Sequence, residues 1–211
     1  MPPPEPKRKA RPSGSPPRAR NPPPRAPPRA DRCQAIFYDD NKINFAGAST
    51  RGKVPSIRTV HCTEPLTVAQ LEEALMLSAP PVVEDPYAPE LFFFFDFDLT
   101  LSLQDGLGPE GTTEDLANLF GDEVRRRLLR ALLGSLLKER RCYVLTANSG
   151  YVSITHILNQ LLMSGGDESG SHYFVADDTV RFVHHRDAGG KIKVLQSIVQ
   201  ARGLTLVTLF H

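Results

Sequence analysis

Asp96 and Asp98 stand one residue apart at the end of the stretch LFFFFDFDLTLS, residues 91–102. On an extended backbone, residues i and i+2 face the same way. The spacing therefore predicts both carboxylates in one pocket, with Phe97 turned back to the core. Two adjacent carboxylates repel, and one is driven to keep its proton unless a cation intervenes. A bound Mg²⁺ relieves this, because it takes oxygen ligands, often one or two carboxylates together with waters and phosphate. One carboxylate can then attack phosphorus and form an aspartyl-phosphate. The other can protonate the leaving oxygen and later take a proton from water. Thr146, at the end of CYVLT, can hydrogen-bond a phosphoryl oxygen, and Lys191, opening a helix, can neutralise phosphate charge. Asp39 or Asp40, after AIFY, would complete the metal site. Taken singly, each residue has an ordinary explanation: an Asp after a strand commonly caps a helix or forms a turn. Their conjunction is what points to phosphoryl transfer.

These residues need elements to hold them. AIFY, LFFFF and CYVL are continuous apolar runs that read as strands buried on both faces, and SIRTVHCT is a further strand candidate. Thr67 to Leu77 reads as a helix with a Thr67/Gln70 capping box and with Val68, Leu71, Ala74 and Leu75 on one face. Val124, Leu128, Leu129, Leu132, Leu133, Leu136 and Leu137 predict an amphipathic helix with Arg125 to Arg127 mostly on its wet side. Ile154, Ile157, Leu158, Leu161 and Leu162 mark another, and Lys191 to Ala201 a third, with Val194, Leu195, Ile198 and Val199 inward. HYFVADDTVRFVHH should be extended in one or two pieces, and LTLVTLF should be a strand. This alternation predicts an α/β fold: a Rossmann-like, mostly parallel sheet with helices on both faces. In such sheets ligands sit beyond the carboxyl ends of the strands, where the acids, Thr146 and Lys191 fall.

The 211 residues suit one mid-sized domain behind a tail. The formal net charge of +1 hides a split, because residues 1–32 carry nine Lys/Arg against two acids, and twelve of the 19 prolines. A segment of that composition cannot bury enough apolar surface to offset its ordering entropy. Residues 1–32 are therefore expected to be a disordered basic tail, ahead of a domain over 33–211 with a proline-broken linker at 80–90. PKRKARP within the tail would suit nuclear import or contact with nucleic acid or another acidic partner. No apolar run reaches about 18 residues, so no membrane partner is expected. Cys33, Cys62 and Cys142 form no CxxC pair, which fits a reducing compartment. The chain is expected to be intracellular and soluble, cytoplasmic or nuclear.

DFDLT at 96–100, VLTAN at 144–148 and GGKIKVL at 189–195 resemble the first three motifs of the haloacid dehalogenase-like (HAD) hydrolase superfamily. The resemblance implies Asp96 as nucleophile, Asp98 as general acid/base, Thr146 as phosphoryl holder, Lys191 as charge stabiliser and Mg²⁺ as cofactor. It further implies that the Asp96 carboxylate and the Asp98 backbone carbonyl bind the metal. Lys193 is the alternative to Lys191. The family's fourth motif, acids after the strand that follows the lysine helix, does not appear after LTLVTLF. QAIFYDDNKIN with IRTVHCT, within residues 33–79, looks like that motif and the next strand, set before the first motif over 91–211. Either the parts are circularly permuted, with Asp39 and Asp40 folding back to the site, or the sequence is a fragment, the end of one repeat joined to a second that is cut short.

About 40 residues separate successive motifs, too few for a full lid domain. Lidless members of the family tend to act on larger substrates, so the phosphorylated substrate is expected to be a small molecule or a macromolecule. Two other readings fit the residues: a receiver-like phosphoacceptor, which also orders an acid pair, Asp, Thr and Lys, and a catalytically degenerate HAD-like interaction module. Receivers have no use for Asp98, and steady phosphate release would separate hydrolase from receiver.

Overall fold

In a computed structural model of the chain, residues 34–45, 57–79, 91–105, 116–165, 172–184 and 190–201 are described. The basic tail 1–32, the linker 80–90 and the strand expected at LTLVTLF lie outside them.

Among the described residues five parallel strands form one sheet in the order β2-β1-β3-β4-β5: β1 Gln34–Asp39, β2 Ile57–His61, β3 Leu91–Phe95, β4 Cys142–Thr146 and β5 Val180–Phe182. The expected α/β architecture is what the chain adopts. The apolar runs serve both faces of the sheet by simple alternation. Ile36, Tyr38, Phe93, Phe95 and Val144 face one core, which α1 Val68–Ser78, α2 Leu116–Phe120, α3 Glu123–Lys138 and α4 Tyr151–Met163 cover. Ala35, Phe37, Phe92, Phe94, Tyr143 and Leu145 face the other, covered by α5 Gly190–Ala201 with Phe45 of a short 3₁₀ turn. Cross-strand rings lock the register: Tyr38 stacks on Phe95 and Phe94 on Tyr143, each pair 5.2 Å between centroids. Each buried Phe contributes roughly 1.5–3 kcal/mol relative to exposure, so four in β3 fix which strand lies at the centre.

The Thr67 capping box forms as the spacing predicts: Thr67 Oγ1 accepts from the Gln70 amide, and Gln70 Oε1 accepts from the Thr67 amide. Leu71 and Ala74 are buried, but Val68 lies at the exposed mouth of α1. In α3, Leu129, Leu132, Leu133, Leu136 and Leu137 are buried and Val124 is exposed. Arg125 departs from its expected wet-side position, being only 7% exposed. It donates to the carbonyls of Leu66, Phe120 and Leu101 at 3.0, 2.8 and 2.8 Å, and more weakly to Thr100. Burial holds its guanidinium down to about 10. Its charge argues for the wet side although it shares a helix face with Leu129 and Leu132; the carbonyls of a folded-over loop are what satisfy it there. The HYFVADDTVRFVHH stretch yields only three strand residues, because the Ala176–Thr179 segment turns back on itself through Asp177, a residue in the left-handed region at φ +64°. Among the described residues no helix is long and apolar enough to cross a membrane.

Candidate functional site

The carboxyl ends of β1, β3 and β4 meet the first turn of α5 at one rim. Asp39 is the last residue of β1, Asp96 follows β3, Thr146 ends β4, and Lys191 is the second residue of α5. Register explains why they converge. Tyr38 pairs with Phe95 across β1 and β3, and the Asp96 amide donates to the Tyr38 carbonyl at 2.8 Å, so Asp39 and Asp96 leave the sheet side by side. Helix α5 packs Ile192, Leu195, Ile198 and Val199 against the strands beneath and so delivers Lys191 to the rim from below.

Lys191 is 3% exposed, and its Nζ lies 2.6 Å from Asp96 Oδ2 and 2.9 Å from Asp39 Oδ2. Lys193, the alternative lysine, faces outward from α5. Burial works against the charge of Lys191, but Asp96 and Asp39 outweigh it and raise its pKa. Asp96 responds mainly to burial: despite Lys191, desolvation together with Asp39 pushes its carboxyl up to about 7. Burial and the adjacent Asp39 also raise Asp40. Carboxylate oxygens of Asp39, Asp40 and Asp96 all lie within 4.8 Å of one another. Three acids facing one ammonium leave an excess of negative charge in a partly dry site. An all-oxygen donor set with that excess fits a hard divalent cation such as Mg²⁺.

The two candidates from the paired acids at β1 are not equivalent. Asp39 is fully buried and its oxygens are already engaged. Oδ1 accepts from the Asn41 amide and Asn44 Nδ2 at 2.8 Å each, and Oδ2 accepts from Lys191. Asp40 is half-buried beside a cleft of about 280 Å³ that Leu99 and the His61–Pro65 segment also line. Asp39 is thus committed to Lys191 and the asparagines, whereas Asp40 could still meet a cation. Asn41 and Asn44 were not among the candidate residues, although Asn in an acid-rich turn is a familiar backbone-bonding signal.

Asp96 and Asp98 both keep extended backbone angles but take different partners at the rim. The strand ends at Phe95, and residues 97–101 fold into a tight turn in which Leu99 adopts φ +50°. Asp96 caps this turn, its Oδ1 accepting from the Phe97 amide at 2.7 Å. Phe97 does enter the core, edge-on to Phe120. Asp98 swings toward β4 instead of joining the acid cluster, and accepts from Thr146 Oγ1 at 3.4 Å. The Asn148 amide donates to the same Thr146 oxygen at 3.0 Å, while Asn148 Oδ1 accepts from the Gly150 amide ahead of α4. Asp96 with Lys191 on one side, and Asp98 with Thr146 on the other, frame the opening between β3 and β4.

No family model, no curated protein and no solved structure matches the chain.

Proposed function

We propose that the chain is a Mg²⁺-dependent phosphohydrolase of the HAD-like type, working through an aspartyl-phosphate on Asp96. The observation that carries this reading is the buried Lys191 ammonium spanning Asp96 and Asp39, with Asp40 in the same acid group. A lysine held there orients the nucleophile and offers positive charge to phosphoryl oxygens.

In this reading Asp96 and Asp40 hold the cation, which when bound supplies charge neutralisation for the phosphoryl group. Asp39 holds Lys191. Thr146 Oγ1, itself held by the Asn148 amide, offers a donor to a phosphoryl oxygen at the head of α4. An Asp96 oxygen attacks phosphorus, the ester P–O bond breaks, and Asp98 gives its proton to the departing oxygen. Asp98 then takes a proton from water as that water's oxygen attacks phosphorus, which releases phosphate and restores the Asp96 carboxylate. The contact between Asp98 and Thr146 favours a hydrolase over a phosphoacceptor domain, because it sets a second acid beside the phosphoryl donors.

We further read the family's parts as rotated in order. What supports this is β1 lying between β2 and β3, with Asp39 reaching Lys191.

The test is steady release of phosphate from a generic aryl phosphate. Turnover should require Mg²⁺, and Asp96→Asn should lower it by at least about a thousandfold. A single stoichiometric burst without turnover would indicate a phosphoacceptor, and no Mg²⁺ binding would indicate an interaction module.

A further inference from the structure

Three aromatic side chains run along the rim beside Thr146. Tyr151, the first residue of α4, stacks on Phe182 with centroids 6.1 Å apart and planes 28° from parallel. Phe182 in turn meets His184 edge-on at 6.3 Å. Phe182 ends β5, the edge strand among the described residues, and is 39% exposed, while His184 is exposed and Val152 next to Tyr151 is 60% exposed. A large ring at the margin of a sheet would ordinarily be folded under a helix; here it stays half in solvent.

Its position relative to the site is fixed twice. Phe182 is the register partner of Thr146, and the Val183 amide donates to the Thr146 carbonyl at 2.8 Å. One strand spacing, about 4.8 Å, separates the two backbones. Residues paired in register point to the same face of a sheet, so the ring and the Thr146 hydroxyl share a side. Tyr151 is tied by sequence as well, three residues beyond Asn148, whose amide holds the Thr146 oxygen. The Tyr151 hydroxyl donates to Asp177 at 3.2 Å, which steadies the ring beneath Phe182.

The geometry points to a base-stacking ledge: the Tyr151–Phe182–His184 run receives the nucleobase of a nucleotide whose phosphate lies at Thr146 and Lys191. This rests on the phosphohydrolase reading for the phosphate end and on the rings alone for the base end. A flat, exposed, pre-positioned aromatic surface suits a planar π-system, and stacking of that kind tolerates any base. A mononucleotide and the phosphorylated end of a single strand present the same group.

Binding of the fluorescent 2-aminopurine ribonucleoside monophosphate to the full chain, in chelator so that nothing turns over, reads the ledge directly. Stacking should quench the probe, and Phe182→Ala should raise its Kd by about fivefold or more. Phe182→Leu, which keeps apolar bulk but loses the flat face, should do the same and serves if the alanine variant misfolds. Ribose phosphate, lacking the base, should bind equally to wild type and both variants. In Mg²⁺, kcat/KM for the nucleotide over ribose phosphate should exceed about fivefold and fall toward one in the variants. A phosphate-terminated oligonucleotide competing far better than the mononucleotide would identify a strand end as the source. Quenching without any hydrolysis keeps the ledge and removes the hydrolase. Hydrolysis of both esters at equal efficiency, with no quenching, removes the ledge and keeps the hydrolase.

Discussion

Lys191 and Asp96 approach to 2.6 Å with both side chains withdrawn from solvent. A buried pair of this kind adds little net stability over a well-packed apolar substitute, but breaking one by deleting a partner is costly. Lys191→Met should leave Asp39 and Asp96 buried without a cation and destabilise the metal-free chain by about 3–5 kcal/mol in urea unfolding. Added Mg²⁺ should recover part of that loss by mass action.

The division of labour between Asp39 and Asp40 separates in two measurements. Asp40→Asn should weaken Mg²⁺ affinity with little change in unfolding midpoint, since Asp40 is half-buried. Asp39→Asn should lower stability by about 3 kcal/mol or more, because Lys191 and two asparagines lean on it. Equal effects of the two variants on both readouts would refute the assignment.

Asp96 makes stability depend on pH in the metal-free chain. In the unfolded state it ionises near 3.8, whereas burial, with Asp39 beside it, delays this in the folded state to about 7. Between those values the folded state holds the extra proton, so this group's contribution to stability falls as pH rises from about 4 to about 7 and is level outside that window. Subtracting the pH profile of Asp96→Asn from that of wild type, both in chelator, isolates it; a difference that rises with pH there would reverse the sign. Metal binding, which needs the carboxylate, should strengthen through the same window.

Arg125 holds the turn after Asp96 from outside the site. Its guanidinium ties Thr100 and Leu101 to α2, α3 and the segment before α1 through carbonyls alone. Arg125→Met should cost about 3 kcal/mol or more, through carbonyls left buried and unbonded. It should also lower kcat more than it raises KM, because the turn that carries Asp98 loses its anchor. An unchanged kcat at reduced stability would confine Arg125 to the fold.

Strand identity was readable because four phenylalanines and their neighbours form runs too apolar for any exposed position. The Thr67 cap was readable because both its partners lie within one turn. What escaped were residues whose role is set by distant backbone. Arg125 looked like one of three solvated arginines until the 97–101 turn supplied acceptors. Asp98 meets Thr146, 48 residues further on, a partner that no local spacing names. Asn41, Asn44 and Asn148 carry short-range turn signals that name no distant partner. Phe182 sat in a stretch read simply as extended.

The seat of β1 between β2 and β3 has a consequence for synthesis. Asp39 is made early, yet its lysine partner comes 152 residues later. A nascent chain can assemble β1 against β3, but it exposes an acidic notch with no ammonium until α5 clears the ribosome. Until then, like-charge repulsion in that notch works against early closure, so competence should switch on abruptly with the emergence of the last described helix.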